Sequence, residues 1–418
     1  MKKTAIFLCA LVALCSSAYA QKDARAEVMA NVNLAGGEYL PYPTGQPAPT
    51  SAPKGYKAFY VSHVGRHGSR QALGSTVYED QLAVWSRGHE KGWLTPEGEA
   101  FYQVYKEFYP AIARREGNLT HKGQDQHRYI ASQIYRNYPS VFKGKTHAEA
   151  VSTVSHRVIV SMFFFLSELD NLDRDLTFGA DYGQPYQSYL LPDIIDSKIE
   201  RDGLADEKYR QFRSEVVDPD ALLGKWFTQP DSLVPSGKYN FCNDLHMVVS
   251  ALDNLDVPAP RELYQVYTPE ERYSLWRAKN YRHYQLLGRT PDNQHLRVQS
   301  LGLLLADILE KADEDIRTGS VQLRLRFAHD STLMPLLSLM DVNGMGASIT
   351  DPYEVEKYWQ NYNIPMASNF QLIFFKSKKN PDILVQVLLN GFEARLPIPM
   401  AAPGSFYRWQ DIKDFYGN

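Results

Sequence analysis

Two segments near opposite ends of the chain read as buried strands, and each runs into a loop rich in charge. Ala58-Phe59-Tyr60-Val61-Ser62-His63-Val64 is dense in β-branched and aromatic residues and stops at Gly65. Leu323-Arg324-Leu325-Arg326-Phe327 alternates and stops at Ala328-His329-Asp330. Strands at both ends with helical patterns between them predict an α/β fold. Its expected form is a central, mostly parallel sheet flanked by helices, with a second, mostly helical inserted domain. In an open sheet of that kind ligands bind beyond the carboxyl ends of the strands, so two such loops can face one crevice.

The remaining elements follow from local chemistry. Thr95-Pro96-Glu97 places an N-cap, a proline at the first helical position and an acid in the first turn, ahead of Phe101, Tyr105 and Phe108. Thr120 caps a second helix through Tyr129, Ile130, Ile134 and Tyr135. A short strand over 150–154 leads into an apolar helix from about residue 157 to 169, and another helix is expected over 332–340. Strands over 370–375 and 383–389 flank Lys378-Lys379-Asn380-Pro381-Asp382, which has turn chemistry, and form a hairpin. Pro41, Pro43, Pro47, Pro49 and Pro53 fix φ and remove backbone donors, which makes 41–53 an extended lead-in. Residues 171–289, rich in Asp, Tyr and Pro, show no strong strand pattern and are assigned to the helical insert. Residues 21–170 and 290–418 are assigned to the α/β core.

The first twenty residues stand apart. Lys2 and Lys3 precede an apolar run over 5–15 that is too short to span a bilayer, and Ala18-Tyr19-Ala20 supplies small residues where a signal peptidase reads. A signal peptide over 1–20 is therefore expected, and with it a periplasmic or secreted protein that has no membrane association once the leader is cut. Lipidation of Cys15 is the competing outcome, opposed by the bulk of Leu14 before it. Cys9 and Cys15 leave with the leader, so only Cys242 remains and no disulfide forms within the mature chain. Loss of the two lysines takes the formal net charge from −3 to −5. With 45 Lys+Arg against 48 Asp+Glu there is no electrostatic footprint for nucleic acid, and 44% hydrophobic residues exclude a disordered chain. An anionic ligand must be held by a local cluster of cations, not drawn in by net charge.

Three short segments offer such a cluster. Gly65-Arg66-His67-Gly68-Ser69-Arg70 closes the first strand, with two arginines flanking a histidine and glycines that permit tight turns. His329-Asp330 leaves the second. Ser155-His156-Arg157 opens the apolar helix, where a cation opposes the positive end of the helix dipole. A bound anion resolves that conflict, because it takes both the guanidinium and the free N–H groups.

Arg66-His67-Gly68-Ser69-Arg70, a later arginine on a helix and a far-downstream His-Asp resemble the histidine acid phosphatases. The match runs from residue 57 to the last strands. Within that family the chain is most similar to the multiple inositol polyphosphate phosphatase and phytase branch. The segments that carry this are Leu94-Thr95-Pro96-Glu97-Gly98, Leu119-Thr120-His121-Lys122-Gly123, Ser152-Thr153 with Arg157, Ser161-Met162, and 385–390. His329-Asp330-Ser331 departs from the His-Ala-Glu often found in that branch, and His147-Ala148-Glu149 lies upstream of Arg157, in the wrong order.

The resemblance implies that His67 attacks phosphorus to give a phosphohistidine. Arg66, Arg70, Arg157 and His329 then hold the phosphoryl oxygens, Asp330 protonates the leaving alkoxide, and no cofactor or metal is involved. The chemistry of the groups agrees. Guanidinium forks match phosphoryl oxygens in bidentate fashion, and preorganised donors stabilise the charge that spreads in the transition state. A covalent nucleophile splits the displacement into two steps, and an acid beside the alkoxide contributes ~10²–10⁴-fold. Because Asp330 must carry a proton while His67 is free, an acidic to mildly acidic optimum is expected.

The implied activity is that of a secreted, metal-independent phosphomonoesterase for a small anionic phosphoester, with inositol phosphates first. A broad-specificity acid or sugar-phosphate phosphatase stays open, as does a non-catalytic binder of phosphorylated ligands. Competing motifs fail. Gly144-Lys145-Thr146 lacks the upstream glycine of a phosphate-binding loop, and no G-x-S-x-G or H-E-x-x-H occurs. His63 and His67 lie on a strand and its exit, not on one helix face.

Overall fold

The computed structural model describes residues 22–74, 76–192 and 203–417, so the leader and Cys15 lie outside the described residues. One eight-stranded sheet organises the chain, built from β1 (Tyr56–Arg66), β2 (His147–Ser152), β3 (Thr177–Tyr182), β4 (Leu323–Ala328), β5 (Asn369–Ser377), β6 (Leu384–Leu389), β7 (Phe392–Glu393) and β8 (Phe406–Arg408). The order is β3-β2-β4-β1-β5-β6-β7, with β8 on β6. β3, β2, β4 and β1 run parallel, and the β5–β6 hairpin extends the sheet in antiparallel fashion.

Register places the site. Arg66 pairs with Ala328, and Ser152 pairs with Phe327, so β1, β4 and β2 end level with one another. The segments that follow them carry His67, His329 and, in the first turn of the helix His156–Leu172, Arg157. Successive side chains of β1 face opposite ways, which splits the core into two layers. Tyr60 and Val64 pack with Ile308, Leu333 and Leu336 on one face. Val61 packs with Ile130, Val158, Met162 and Phe165 on the other.

The capped helices start where their caps dictate. Thr95 accepts from the Gly98 amide at 3.1 Å to open Pro96–Ile112, and Thr120 accepts from the Gly123 amide at 3.3 Å to open His121–Asn137. Gly123 also lets this second helix touch the loop after β1. A Cβ there would fall 2.3 Å from the Ser69 carbonyl oxygen, and one at Gly68 would fall 2.3 Å from that of Gly123.

A third core lies outside the sheet. Val77, Trp85, Phe101 and Tyr105 pack with Leu222, Trp226, Phe241 and Leu245. The helical body therefore draws on Val77–Glu90 and Pro96–Ile112 as well as on Pro219–Trp226 and Lys238–Ala251. The sequence did not announce β3, which lies in the stretch expected to be helical. As the sheet's edge strand it is largely exposed and needs no apolar alternation.

Candidate active site

Backbone bonds fasten the loop after β1 between two neighbours. The His67 amide donates to the Ala328 carbonyl at 3.1 Å, and the Ala367 amide donates to the His67 carbonyl at 2.9 Å. Side chains fix the rest. The Gly68 amide donates to Ser161 Oγ at 3.1 Å, and the Ser69 amide donates to Gln126 Oε1 at 2.8 Å. Ser69 Oγ donates to Asn254 Oδ1 at 2.6 Å, and Asn254 Nδ2 donates to the Tyr39 carbonyl at 2.6 Å.

The six residues named from the sequence divide by element. Arg66 ends β1, and its buried guanidinium donates to the carbonyls of Glu38 (2.6 Å) and Ile364 (2.9 Å) and to Asp330 Oδ2 (2.7 Å). Arg70 donates to the Gln71 carbonyl and lies 4.9 Å from the Tyr39 ring centre. His67 and His329 meet edge to face, with ring centres 5.7 Å apart. His329 is the N-cap residue of Asp330–Leu339, and Asp330 Oδ1 accepts from the Ser331 amide at 2.8 Å. Arg157 lies in the first turn of His156–Leu172, whose N-cap Ser155 makes no side-chain cap. Its guanidinium makes no hydrogen bond or ion pair with the described residues.

Charge and burial set the protonation states. His67 Nδ1 lies 2.9 Å from the Gly68 carbonyl, which only accepts, so Nδ1 carries the hydrogen and Nε2 keeps its lone pair. Burial pushes the His67 pKa well below the usual histidine range, and Arg66, Arg70 and Arg157 push it further. His329 is pushed down to about 3, by burial first and Arg157 next. Burial and then Arg70 bring Arg157 down to about 10. Burial raises Asp330, but Arg66 first and then Arg70 outweigh it and hold the carboxyl below its ordinary range. The empty pocket therefore contains a neutral His67 imidazole and an ionised Asp330. In the empty pocket Asp330 is thus held as the counter-ion of Arg66.

No protein-family model matches the sequence, and no curated protein does. Solved structures do. The multiple inositol polyphosphate phosphatase of Bifidobacterium longum, in complex with inositol hexasulfate, superposes with a TM-score of 0.76 at 18% identity, over 91% of this chain and 97% of that one. The phytase from D. castellii superposes with a TM-score of 0.69 at 15% identity, over 92% and 84% of the two chains. For the phytase from Citrobacter braakii the TM-score is 0.56 at 15% identity, over 86% and 97%. The chain has the fold of these phosphatases. It is the α/β fold with a helical insert that the pattern of strands and helices predicted.

Several residues around the pocket were not found from the sequence. Lys279 Nζ pairs with the buried Glu38 carboxylate at 2.6 Å and lies 4.6 Å from the Tyr39 ring centre, so Tyr39 is flanked by Arg70 and Lys279. Asn361 Nδ2 donates to Glu38 Oε2 at 3.2 Å, and His283 Nδ1 lies 3.7 Å from the same oxygen. Glu38 and Tyr39 stand in a segment without an element pattern, and Lys279 is one cation among many on Pro269–Leu287. By contrast, Lys122 and Arg128 are engaged by the Asp253 carbonyl and Asp125.

Proposed function

We propose that the protein is a secreted phosphomonoesterase that works through a phosphohistidine on His67, without a metal, and takes inositol phosphates as substrates. The observation that carries this reading is the arrangement at three level strand ends. A neutral histidine, its Nε2 lone pair free, is enclosed by Arg66, Arg70 and Arg157, with Asp330 on Arg66. No helix among the described residues is long and apolar enough to cross a membrane.

The steps follow from the geometry. The phosphoryl oxygens replace the missing counter-ions of Arg157 and Arg70 and take the free N–H groups of the uncapped His156–Leu172 helix. His67 Nε2 attacks phosphorus while the ester P–O bond breaks. Asp330 gives its proton to the departing alkoxide. A water molecule then attacks the phosphohistidine, Asp330 takes back a proton, and the P–N bond breaks to release phosphate. The two added negative charges of the substrate lift the Asp330 pKa from its depressed value, which is how the acid acquires its proton.

The test is turnover of p-nitrophenyl phosphate in EDTA, with a substrate panel that includes phytate. His67→Ala is expected to lower kcat by at least ~10³-fold. Asp330→Asn is expected to cost ~10²–10⁴-fold on phytate and far less on p-nitrophenyl phosphate, whose leaving group needs little protonation. EDTA-sensitive turnover, or an unimpaired His67→Ala protein, overturns the reading.

A further inference from the structure

The two pocket histidines are fixed by partners of different kinds. A carbonyl holds His67 Nδ1, and a carbonyl only accepts. A hydroxyl holds His329: Thr153 Oγ1 lies 3.1 Å from Nε2. A hydroxyl can donate or accept. Thr153 itself cannot shift easily. It follows the last residue of β2 and is fully buried, its amide donates to the Phe327 carbonyl at 3.3 Å, and its own carbonyl accepts from Ser152 Oγ at 3.0 Å.

We propose that Thr153 is the positioning residue of His329. Its hydroxyl bonds the Nε2 edge, which presents the Nδ1 edge to the phosphoryl group as an N–H donor. This rests on the phosphate-binding role of the pocket stated above.

In the empty pocket the ring is neutral, and Thr153 donates to the Nε2 lone pair, which leaves the hydrogen on Nδ1. Nδ1 has no hydrogen-bond partner among the described residues. The charged and titratable groups that face the ring are Arg66, His67 and Arg70 after β1, Arg157 after β2, and Asp330 on its own helix. A bound dianion offsets the three arginines, so the ring can take a proton. The Thr153 hydroxyl then rotates and accepts from Nε2–H. One side chain thus serves both protonation states without leaving a buried ring nitrogen unsatisfied.

The experiment compares wild type, Thr153→Val and Thr153→Ser. Calorimetry with inorganic phosphate gives Kd, and p-nitrophenyl phosphate gives kcat and KM. Valine keeps the shape and removes the hydroxyl, so phosphate Kd and kcat/KM should each worsen about tenfold, and serine should recover most of the loss. A valine protein within about twofold of wild type in both, or a serine protein as impaired as valine, overturns the proposal. If wild type binds phosphate but turns nothing over, the enzyme reading fails and the binding series still decides Thr153. Nitrogen NMR of histidine-labelled wild type needs no variant. Nε2 of His329 should lack a hydrogen in the empty protein and carry one with phosphate bound, and an Nε2–H tautomer in the empty protein also overturns the proposal.

Discussion

Asp330 shows how one side chain changes roles with the state of the pocket. In the empty site it is the counter-ion of Arg66, at 2.7 Å, and the surrounding cations keep it ionised despite its burial. The general acid catalysis proposed for it needs the opposite state. The substrate supplies the change, because its charge occupies the same arginines and leaves the carboxylate facing an anion. Ligand binding and proton binding at Asp330 are then linked: the folded pKa rises on binding, so protons are taken up. Sulfate is a dianion that does not titrate at mildly acid pH, and it isolates the effect. Calorimetry in buffers of different ionisation enthalpy should show proton uptake with sulfate, and Asp330→Asn should remove about one proton of it. Equal uptake by both proteins would show that Asp330 stays ionised in the complex.

Among the elements, the His156–Leu172 helix is built against its own stability. It begins without a side-chain cap, places Arg157 at its positive end, and points that charge toward Arg66 and Arg70. Such local repulsion is tolerated where a ligand neutralises it. Arg157→Gln is therefore expected to stabilise the ligand-free protein, by about 1 kcal/mol, and to abolish most of the rise in Tm that phosphate causes in wild type. Thermal melts with and without phosphate check both halves, and a destabilised variant would mean that Arg157 has a structural partner. The misplaced cation was legible in the sequence, as were Thr95, Thr120 and the two strand ends, because each is a local pattern, whereas the missing cap was not, because Ser155 is a residue that ordinarily caps. Tyr39, Glu38 and Lys279 were not legible. They reach the pocket only through long-range packing, and a single lysine on a polar helix face has no periodicity that marks it. Edge strand β3 was missed for the related reason that exposed side chains carry no burial pattern.

At the scale of the molecule, the level ends of β1, β4 and β2 bring chemistry from distant parts of the chain together, and the core beneath them has its own acid chemistry. His63 on β1 and His127 on His121–Asn137 are buried against Phe327, and their ring nitrogens have no hydrogen-bond partners among the described residues. Burial drives both pKa values down to about 3, with a further contribution at His63 from His127 and Arg326. The unfolded chain titrates its histidines near the ordinary value of about 6.5, so below that pH it binds protons that the native state refuses. Each histidine therefore lowers stability as pH falls from about 6.5 toward about 3, by up to ~1.4 kcal/mol per pH unit, and costs nothing above that window. The acid limit of the protein's stability is then set partly by this core and not only by the pocket. His127→Phe keeps the ring volume, lies outside the phosphate site and removes one titrating group. Its urea midpoint should fall less steeply between neutral and acid pH than that of wild type, while the pH profile of kcat keeps its shape. An unchanged stability slope would mean that His127 gains a partner or water in acid and titrates near its ordinary pKa.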